Sequence, residues 1–174
     1  MHRYRVSSIQ ESWGGAVRLW MDFAQRPEHV SNARRLIADL CDAALGPGAE
    51  ASNWVMVSQE LLENLAKYAE PGNSELDFEL ALRDGKPSGQ LKTRNAASEH
   101  RLSQATALLG RITQTDDPAA LYDELVASSE APKRSQLGLI RVRAEAGLEL
   151  RYVQSGTWLE IVVSGAVTPR EIGS

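Results

Sequence analysis

Two spacings of hydrophobic residues divide this chain into predicted elements. Alternating apolar and polar residues predict half-buried strands, and apolar residues that recur every three or four positions predict amphipathic helices. The predicted strands cover residues 4–6, 16–23, 76–82, 89–93, 148–153 and 158–163. The predicted helices cover residues 28–45, 54–70, 98–112, 119–128 and 137–146.

Glycine and proline mark the joints between these elements. Gly46-Pro47-Gly48 ends the first helix, and Asp84-Gly85 is typical of a tight turn between the third and fourth strands. Strands separated by helices, closing on a hairpin, predict an α/β fold. It is a two-layer α+β sandwich, with one mixed, mostly antiparallel sheet covered on one face by helices. We expect one domain over residues 1–174, with an N-terminal strand or arm at 1–15 and a frayed tail at 166–174.

Composition argues against several classes of function. With 19 basic and 23 acidic residues the net charge is −4, so no broad basic surface is expected for nucleic acid. No apolar run approaches the roughly 20 residues that span a bilayer, and the first residues lack the hydrophobic core of a secretion signal. The single cysteine, Cys41, falls in a helical pattern where a buried thiol is expected. We therefore expect a cytoplasmic protein that binds neither nucleic acid nor membrane.

The helix predicted over 54–70 carries the most suggestive chemistry. Glu60 and Asn64 stand four residues apart beside an apolar face, and so lie on one side of the helix. An amide oxygen can ligate a hard cation, and a carboxylate can take a proton from a nucleophile, as a magnesium–nucleotide site requires. The alternative is a solvated face on which Glu63 and Lys67 form an ordinary ion pair. From this helix alone, the solvated face is the stronger interpretation.

The order of motifs resembles the GHKL ATP-binding superfamily, which includes gyrase, histidine-kinase catalytic domains and anti-sigma-factor kinases. The first motif of that family, a Glu followed four residues later by Asn, matches Glu60 and Asn64. Its last motif is a glycine-rich loop that runs into a "GLGL" helix start, of which Leu137-Gly138-Leu139 is present. A strand pair over 148–163 follows, as in the family. The resemblance implies a histidine-kinase-like ATPase fold of the Bergerat type.

A narrower resemblance covers residues 91–139. This stretch is similar to the SiaB-like bacterial regulatory kinases, a GHKL branch that acts in partner switching. The matching features are an extended segment ending at Asn95, a helix, an acidic segment over 116–122 and then Leu-Gly-Leu at 137–139. Together the two resemblances cover roughly residues 16–164.

The resemblance implies a role for each matching residue. Glu60 would be the catalytic residue, orienting or deprotonating water or a serine hydroxyl, and Asn64 would ligate the Mg²⁺ of bound ATP. Lys67 would contact phosphate, unless it pairs with Glu63. Backbone N–H groups at the helix start, residues 137–139, would bind phosphate oxygens, and the glycine there allows close approach.

Two motifs of the family are replaced in this chain. The DxGxG motif, whose aspartate contacts the adenine amino group, is absent, and Asn95 is the better-placed substitute. The side-chain oxygen of Asn95 could accept from the adenine amine, although a turn-forming Asn is an equally good interpretation. In place of the phosphate-loop glycines stand Lys133 and Arg134, two cations that could hold phosphate electrostatically.

The resemblance implies a bacterial signalling regulator that binds ATP and Mg²⁺ and phosphorylates a serine or threonine of a small partner protein. That partner would be a STAS-like or SiaC-like protein or a sigma factor, and the resemblance also admits a homodimer. One alternative is a degenerate GHKL-fold module that binds protein but no nucleotide. Another is an ATP-dependent switch with negligible chemistry. An active kinase needs Glu60, Asn64 and the loop before Gly138, whereas a binding module needs only the fold.

Overall fold

The computed structural model describes residues 3–8, 16–23, 27–70, 74–127 and 134–168. Every element predicted from the hydrophobic pattern is present, with bounds shifted by a few residues. The strands are β1 (Arg3–Ser8), β2 (Val17–Phe23), β3 (Ser74–Arg83), β4 (Lys86–Ala96), β5 (Glu149–Ser155) and β6 (Trp158–Ala166). The helices are α1 (Pro27–Leu45), α2 (Ala49–Tyr68), α3 (Glu99–Gln114), α4 (Pro118–Ala127) and α5 (Arg134–Ala144).

The described strands form one sheet in the order β1-β2-β3-β4-β6-β5. The predicted two-layer sandwich is confirmed, but the sheet is not mixed, because each pairing of described strands is antiparallel. The helix pair α1 and α2 explains one of these pairings. It returns the chain to the end of the sheet where β2 stopped, so Phe23 at the end of β2 pairs with Ser74 at the start of β3. The next strand therefore runs in the opposite direction.

One hydrophobic core lies between the sheet and the helices. Alternate residues of the central strands, such as Leu76 and Phe78, are fully buried and cluster with side chains from all five described helices. The ring centroid of Trp54 lies 5.9 Å from that of Phe78, which ties α2 to β3. Cys41 of α1 is buried as predicted, and burial raises the pKa of its thiol to about 12. The buried residues of α2 are Ala51, Trp54, Val57, Ser58, Leu61, Leu62 and Leu65.

Two local features, the β3–β4 turn and the end of β6, test predictions made from the sequence. Asp84 and Gly85 both have positive φ, 52° and 73°, as a two-residue type I′ turn requires, so the β3–β4 hairpin is confirmed. The frayed tail predicted from residue 166 is wrong for its first residues. Ala166 ends β6, and the backbone N–H of the buried Val167 donates to the carbonyl of Pro87 at 3.2 Å. Residues 169–174 lie outside the described part of the chain.

Candidate functional site

Helix α2 separates two concave regions of the surface. Of the two residues predicted to form one site, Asn64 lines one region and Glu60 lines the other. Asn64 lines a cavity of about 290 Å³ enclosed by α2, β4, β6, α3 and α5. Glu60 lines a more open groove between α1, α2 and α5, where Arg141 also lies. Four residues along a helix turn the side chain by about 40° beyond a full turn, so one sequence motif can serve two neighbouring surfaces.

The cavity has apolar walls and a few buried polar groups. Thr93 and Asn95 follow each other on the inner face of β4 and are 2% and 8% exposed. The amide nitrogen of Asn95 donates to the carbonyl of Ala96 at 3.2 Å, which leaves its oxygen available as an acceptor. The apolar walls include Leu61, Leu65, Leu102, Leu109, Leu139, Leu159 and Ile161.

Asn64 supplies the most informative atom in the cavity. Its amide nitrogen, Nδ2, is buried and has no hydrogen-bond acceptor in the described residues. A buried donor without an acceptor costs about 1–3 kcal/mol, and folded proteins contain few of them. Asn64 also lines the cavity, so a ligand atom that accepts a hydrogen bond could satisfy this donor once the amide turns toward the open space.

Helix α3 closes the cavity and is tied to its neighbours along its length. At its start, Arg101 donates to the carbonyl of Tyr68 in α2 at 3.0 Å. Near its middle, the hydroxyl of Tyr152 in β5 approaches the Thr106 carbonyl at 3.4 Å. At its end, Arg143 of α5 donates to the carbonyl of Ile112 in the last turn and to that of Thr115, the residue just after the helix, at 3.0 Å. A ligand would therefore enter past His100 and Gln104, exposed residues that line the cavity, or after α3 moves.

Glu60 is held in the groove by an ion pair and by close packing. Its carboxylate accepts from Arg141 at 3.2 Å, and its side chain is 14% exposed. Arg141 also makes two bonds to Glu145, each 2.8 Å long. The carboxylate of Glu60 rests on Gly138 of α5, where a methyl group added to that glycine would overlap it. Gly138 thus makes room for Glu60 in this arrangement.

The surroundings of Glu60 shift its acidity in opposite directions. Burial raises the pKa of this carboxyl above its ordinary value, and the charge of Arg141 partly offsets that increase. A raised pKa is a property of carboxylates that act as general bases near neutral pH. The ion pair works against such a role, because a base held by a guanidinium is less available to a substrate proton.

The other predicted site residues fall into four groups. Asn95 and Leu139 line the cavity with Asn64, so the structure brings these three together. Lys67 forms an ion pair with Glu63 at 3.1 Å, which is the alternative that the sequence left open. Leu137 is partly buried against the hydrophobic core. Lys133 lies outside the described residues, and so does the side chain of Arg134, the first residue of α5.

The sequence analysis did not identify Thr93, which lines the cavity, or Arg141, which lines the groove beside Glu60. A signal for Thr93 was present, since it stands two residues before Asn95 on a strand face that is otherwise apolar. Arg141 is paired with two carboxylates, that of Glu60 on α2 and that of Glu145 just after α5.

Two further observations concern metals and membranes. The described residues contain no group of three or more His, Cys, Asp or Glu side chains that could hold a metal ion. Within the same part of the chain, no helix has the length and apolar character needed to cross a membrane.

Comparison with known proteins adds one structural relative. No protein-family model matches the sequence, and no curated protein matches it either. A chain in the crystal structure of the SiaB–SiaC complex from Pseudomonas aeruginosa is similar, with a TM-score of 0.61 and 14% sequence identity. The alignment covers 86% of this chain and 89% of that chain. The likeness supports a SiaB-like fold, whereas no family model supports the wider GHKL assignment.

Proposed function

We propose that this protein is a bacterial signalling regulator of the partner-switching type, which binds a small regulatory protein and is controlled by ATP bound in the cavity under α3. The observation that carries the proposal is the buried Nδ2 of Asn64, a donor without an acceptor on a residue that lines this cavity. Similarity in fold to a chain of the SiaB–SiaC complex supports the choice of a small regulatory protein as partner. A SiaC-like protein is the first partner to test, before a STAS-like protein or a sigma factor.

The cavity suits the base of ATP. Its volume of about 290 Å³ lies close to the lower end of the range for ligand sites, roughly 300–1,000 Å³. Apolar side chains such as Leu61 and Ile161 can contact the faces of a purine ring. Asn64 offers a donor for a ring nitrogen, and Asn95 offers an oxygen that can accept from the exocyclic amine.

Mg²⁺ fits the described residues less well. Asn64 has its nitrogen without a partner, whereas a metal ion would need its oxygen, so the amide would have to turn over. Lys67 is paired and Gly138 is covered by Glu60, so neither contacts phosphate in this arrangement. The magnesium and phosphate roles remain predictions, and no chemical step is derived from them.

A second candidate function, a serine/threonine protein kinase, is favoured by the raised pKa of Glu60. Its carboxylate could accept the proton of a partner hydroxyl only after it leaves Arg141 and the surface of Gly138. If the protein is a kinase, Arg141→Met should therefore increase phosphoryl transfer to a serine-bearing partner, and Glu60→Gln should abolish it. With Glu60 held as it is, we rank a nucleotide-controlled binding switch above the kinase.

Calorimetric titration with ATP tests the proposal. We expect binding both with and without Mg²⁺, because the base is the part of ATP that the cavity fits. Asn64→Ala should weaken binding by about tenfold or more, the loss of one hydrogen bond to a buried group. Gln114→Ala, which changes an exposed residue at the end of α3 that does not line the cavity, serves as the matched control. No heat at millimolar ATP would reject nucleotide control and leave a protein-binding module.

A further inference from the structure

Thr93 is a polar residue in apolar surroundings. It lies on the inner face of β4 and is 2% exposed. Its partners in the strand register are Leu76 of β3 and Ile161 of β6, which are both buried. A valine at this position would have the same branched shape and would contain no polar atom. Packing alone therefore does not explain the hydroxyl group.

The hydroxyl of Thr93 has no hydrogen-bond partner among the residues that the structure describes. Within those residues, Nδ2 of Asn64 is the only fully enclosed side-chain polar atom without a partner, so the oxygen of Thr93 is not fully enclosed. Because Thr93 is otherwise buried and lines the cavity, this oxygen opens into the cavity. By contrast, the hydroxyl of Thr113 is satisfied locally and donates to the carbonyl of Leu109 at 2.9 Å. A buried hydroxyl without a partner lowers stability, and folded proteins contain few of them.

Thr93 and Asn95 together present two kinds of polar group to the cavity. They stand two residues apart on one face of β4, so their Cα atoms are about 7 Å apart. The amide nitrogen of Asn95 is used by the carbonyl of Ala96, so its side chain offers the oxygen, which can only accept. The hydroxyl of Thr93 can donate. A donor beside an acceptor is complementary to a heterocycle that carries an amine next to an unprotonated ring nitrogen.

From this arrangement we infer that Thr93 is a specificity-determining residue of the cavity. Its hydroxyl donates to a ring nitrogen of the purine, N1 or N7, while the oxygen of Asn95 accepts from the exocyclic amine between them. The inference rests on the proposed binding of ATP, to which it adds a second, independent contact with the base. A 6-oxopurine would set its oxygen against that of Asn95, so GTP should bind more weakly than ATP.

Two substitutions at position 93 separate the hydroxyl from the shape of the side chain. In calorimetric titrations with ATP, Thr93→Val should bind about tenfold more weakly, through the loss of one hydrogen bond to the ligand. Its melting temperature without ligand should equal or exceed that of the wild-type protein. Thr93→Ser keeps the hydroxyl and should retain most of the affinity. Thr113→Val makes the same chemical change away from the cavity and should leave ATP binding unchanged.

Analogues of ATP test the same contact from the side of the ligand. The analogues 1-deaza-ATP and 7-deaza-ATP each lack one of the two candidate nitrogens. One of them should bind to the wild-type protein about tenfold more weakly than ATP does, because it lacks the acceptor for the hydroxyl. Thr93→Val should bind that analogue and ATP with equal affinity, since neither pair can form the bond.

The possible outcomes distinguish this inference from the proposed function. A wild-type protein that does not bind ATP would reject the proposed function and the role of Thr93 with it. If the wild-type protein and Thr93→Val bind ATP equally well, only the role of Thr93 is overturned. Equal losses of affinity in Thr93→Val and Thr93→Ser would assign the effect to packing and would also overturn it. Circular dichroism checks that each variant is folded.

Discussion

Replacing Asn64 with leucine should make the protein more stable and less able to bind its ligand. Leucine has nearly the shape of asparagine but carries no donor that must be satisfied. The apolar cavity walls, Leu61, Leu65 and Leu139 among them, can accommodate the new methyl groups. A gain in stability on removing a polar group is expected where that group serves binding rather than folding.

The magnitude follows from the buried, unpaired Nδ2 atom of Asn64. Its desolvation costs about 1–3 kcal/mol, which the leucine variant should recover as a higher free energy of unfolding. For a chain of this length, that gain corresponds to a rise of roughly 2–12 °C in the melting temperature. Leucine also has a slightly higher helix propensity than asparagine, so the sign of the effect is reinforced.

Differential scanning calorimetry without ligand, followed by titration with ATP, measures both effects. Gln114→Leu is the matched control, because the amide at that position is exposed, lies outside the cavity and keeps its hydration in the folded state, so its removal should not stabilise the fold. A leucine variant at position 64 that melts at or below the wild-type temperature would refute the reasoning. If the variant is stabilised but binds ATP as the wild-type protein does, the ligand site is elsewhere.

Three further predictions concern packing, charge and the helix that closes the cavity. Gly89→Ala should lower the free energy of unfolding by about 1–3 kcal/mol in urea titrations, because its methyl group would lie 2.8 Å from Cε2 of the buried Trp54. An unchanged urea midpoint would contradict this packing. The raised pKa of Glu60 means that the folded state binds the proton more tightly than the unfolded chain. The resulting stabilisation is fully present below the ordinary carboxyl pKa of 4.5 and is lost as the pH rises through the raised pKa of Glu60 in the folded protein. The melting temperature of the wild-type protein should therefore carry a decrease over this pH range that is absent in Glu60→Gln. Arg143→Met removes donors to the last carbonyls of α3, so amide hydrogen exchange in that helix should accelerate, and unchanged exchange would mean that other contacts hold it.

The elements of the fold could be predicted because local patterns determine them. Alternation of apolar and acidic residues from Leu76 to Leu80 and the Asp84-Gly85 turn signal are sufficient for the β3–β4 hairpin, including its positive φ angles. The direction of each strand depends instead on how the intervening helices pack across the sheet, which the hydrophobic pattern of a single element does not reveal. The extent of β6 was missed because contacts between elements hold it, such as the bond from Val167 to Pro87.

The candidate site could be predicted in part. Asn64 and Asn95 meet across one cavity, as their order in the chain suggested, but Glu60 lies in a different region. The helical period places Glu60 and Asn64 on the same side of α2, and it contains no information about where α5 packs. Arg141 and Gly138 of α5 determine the position of the Glu60 carboxylate, and no pattern within α2 could reveal them.

The central claim, that the cavity under α3 binds the base of ATP, is tested most directly by methyl NMR during a titration with ATP. The methyl groups of Leu61, Leu139 and Ile161 line the cavity, whereas Val153 is 60% exposed on β5 and reports non-specific change. We predict saturable shifts at the three cavity residues, no shift at Val153, and the same pattern with adenosine alone. Cavity methyl signals that stay in place at millimolar ATP would contradict the account.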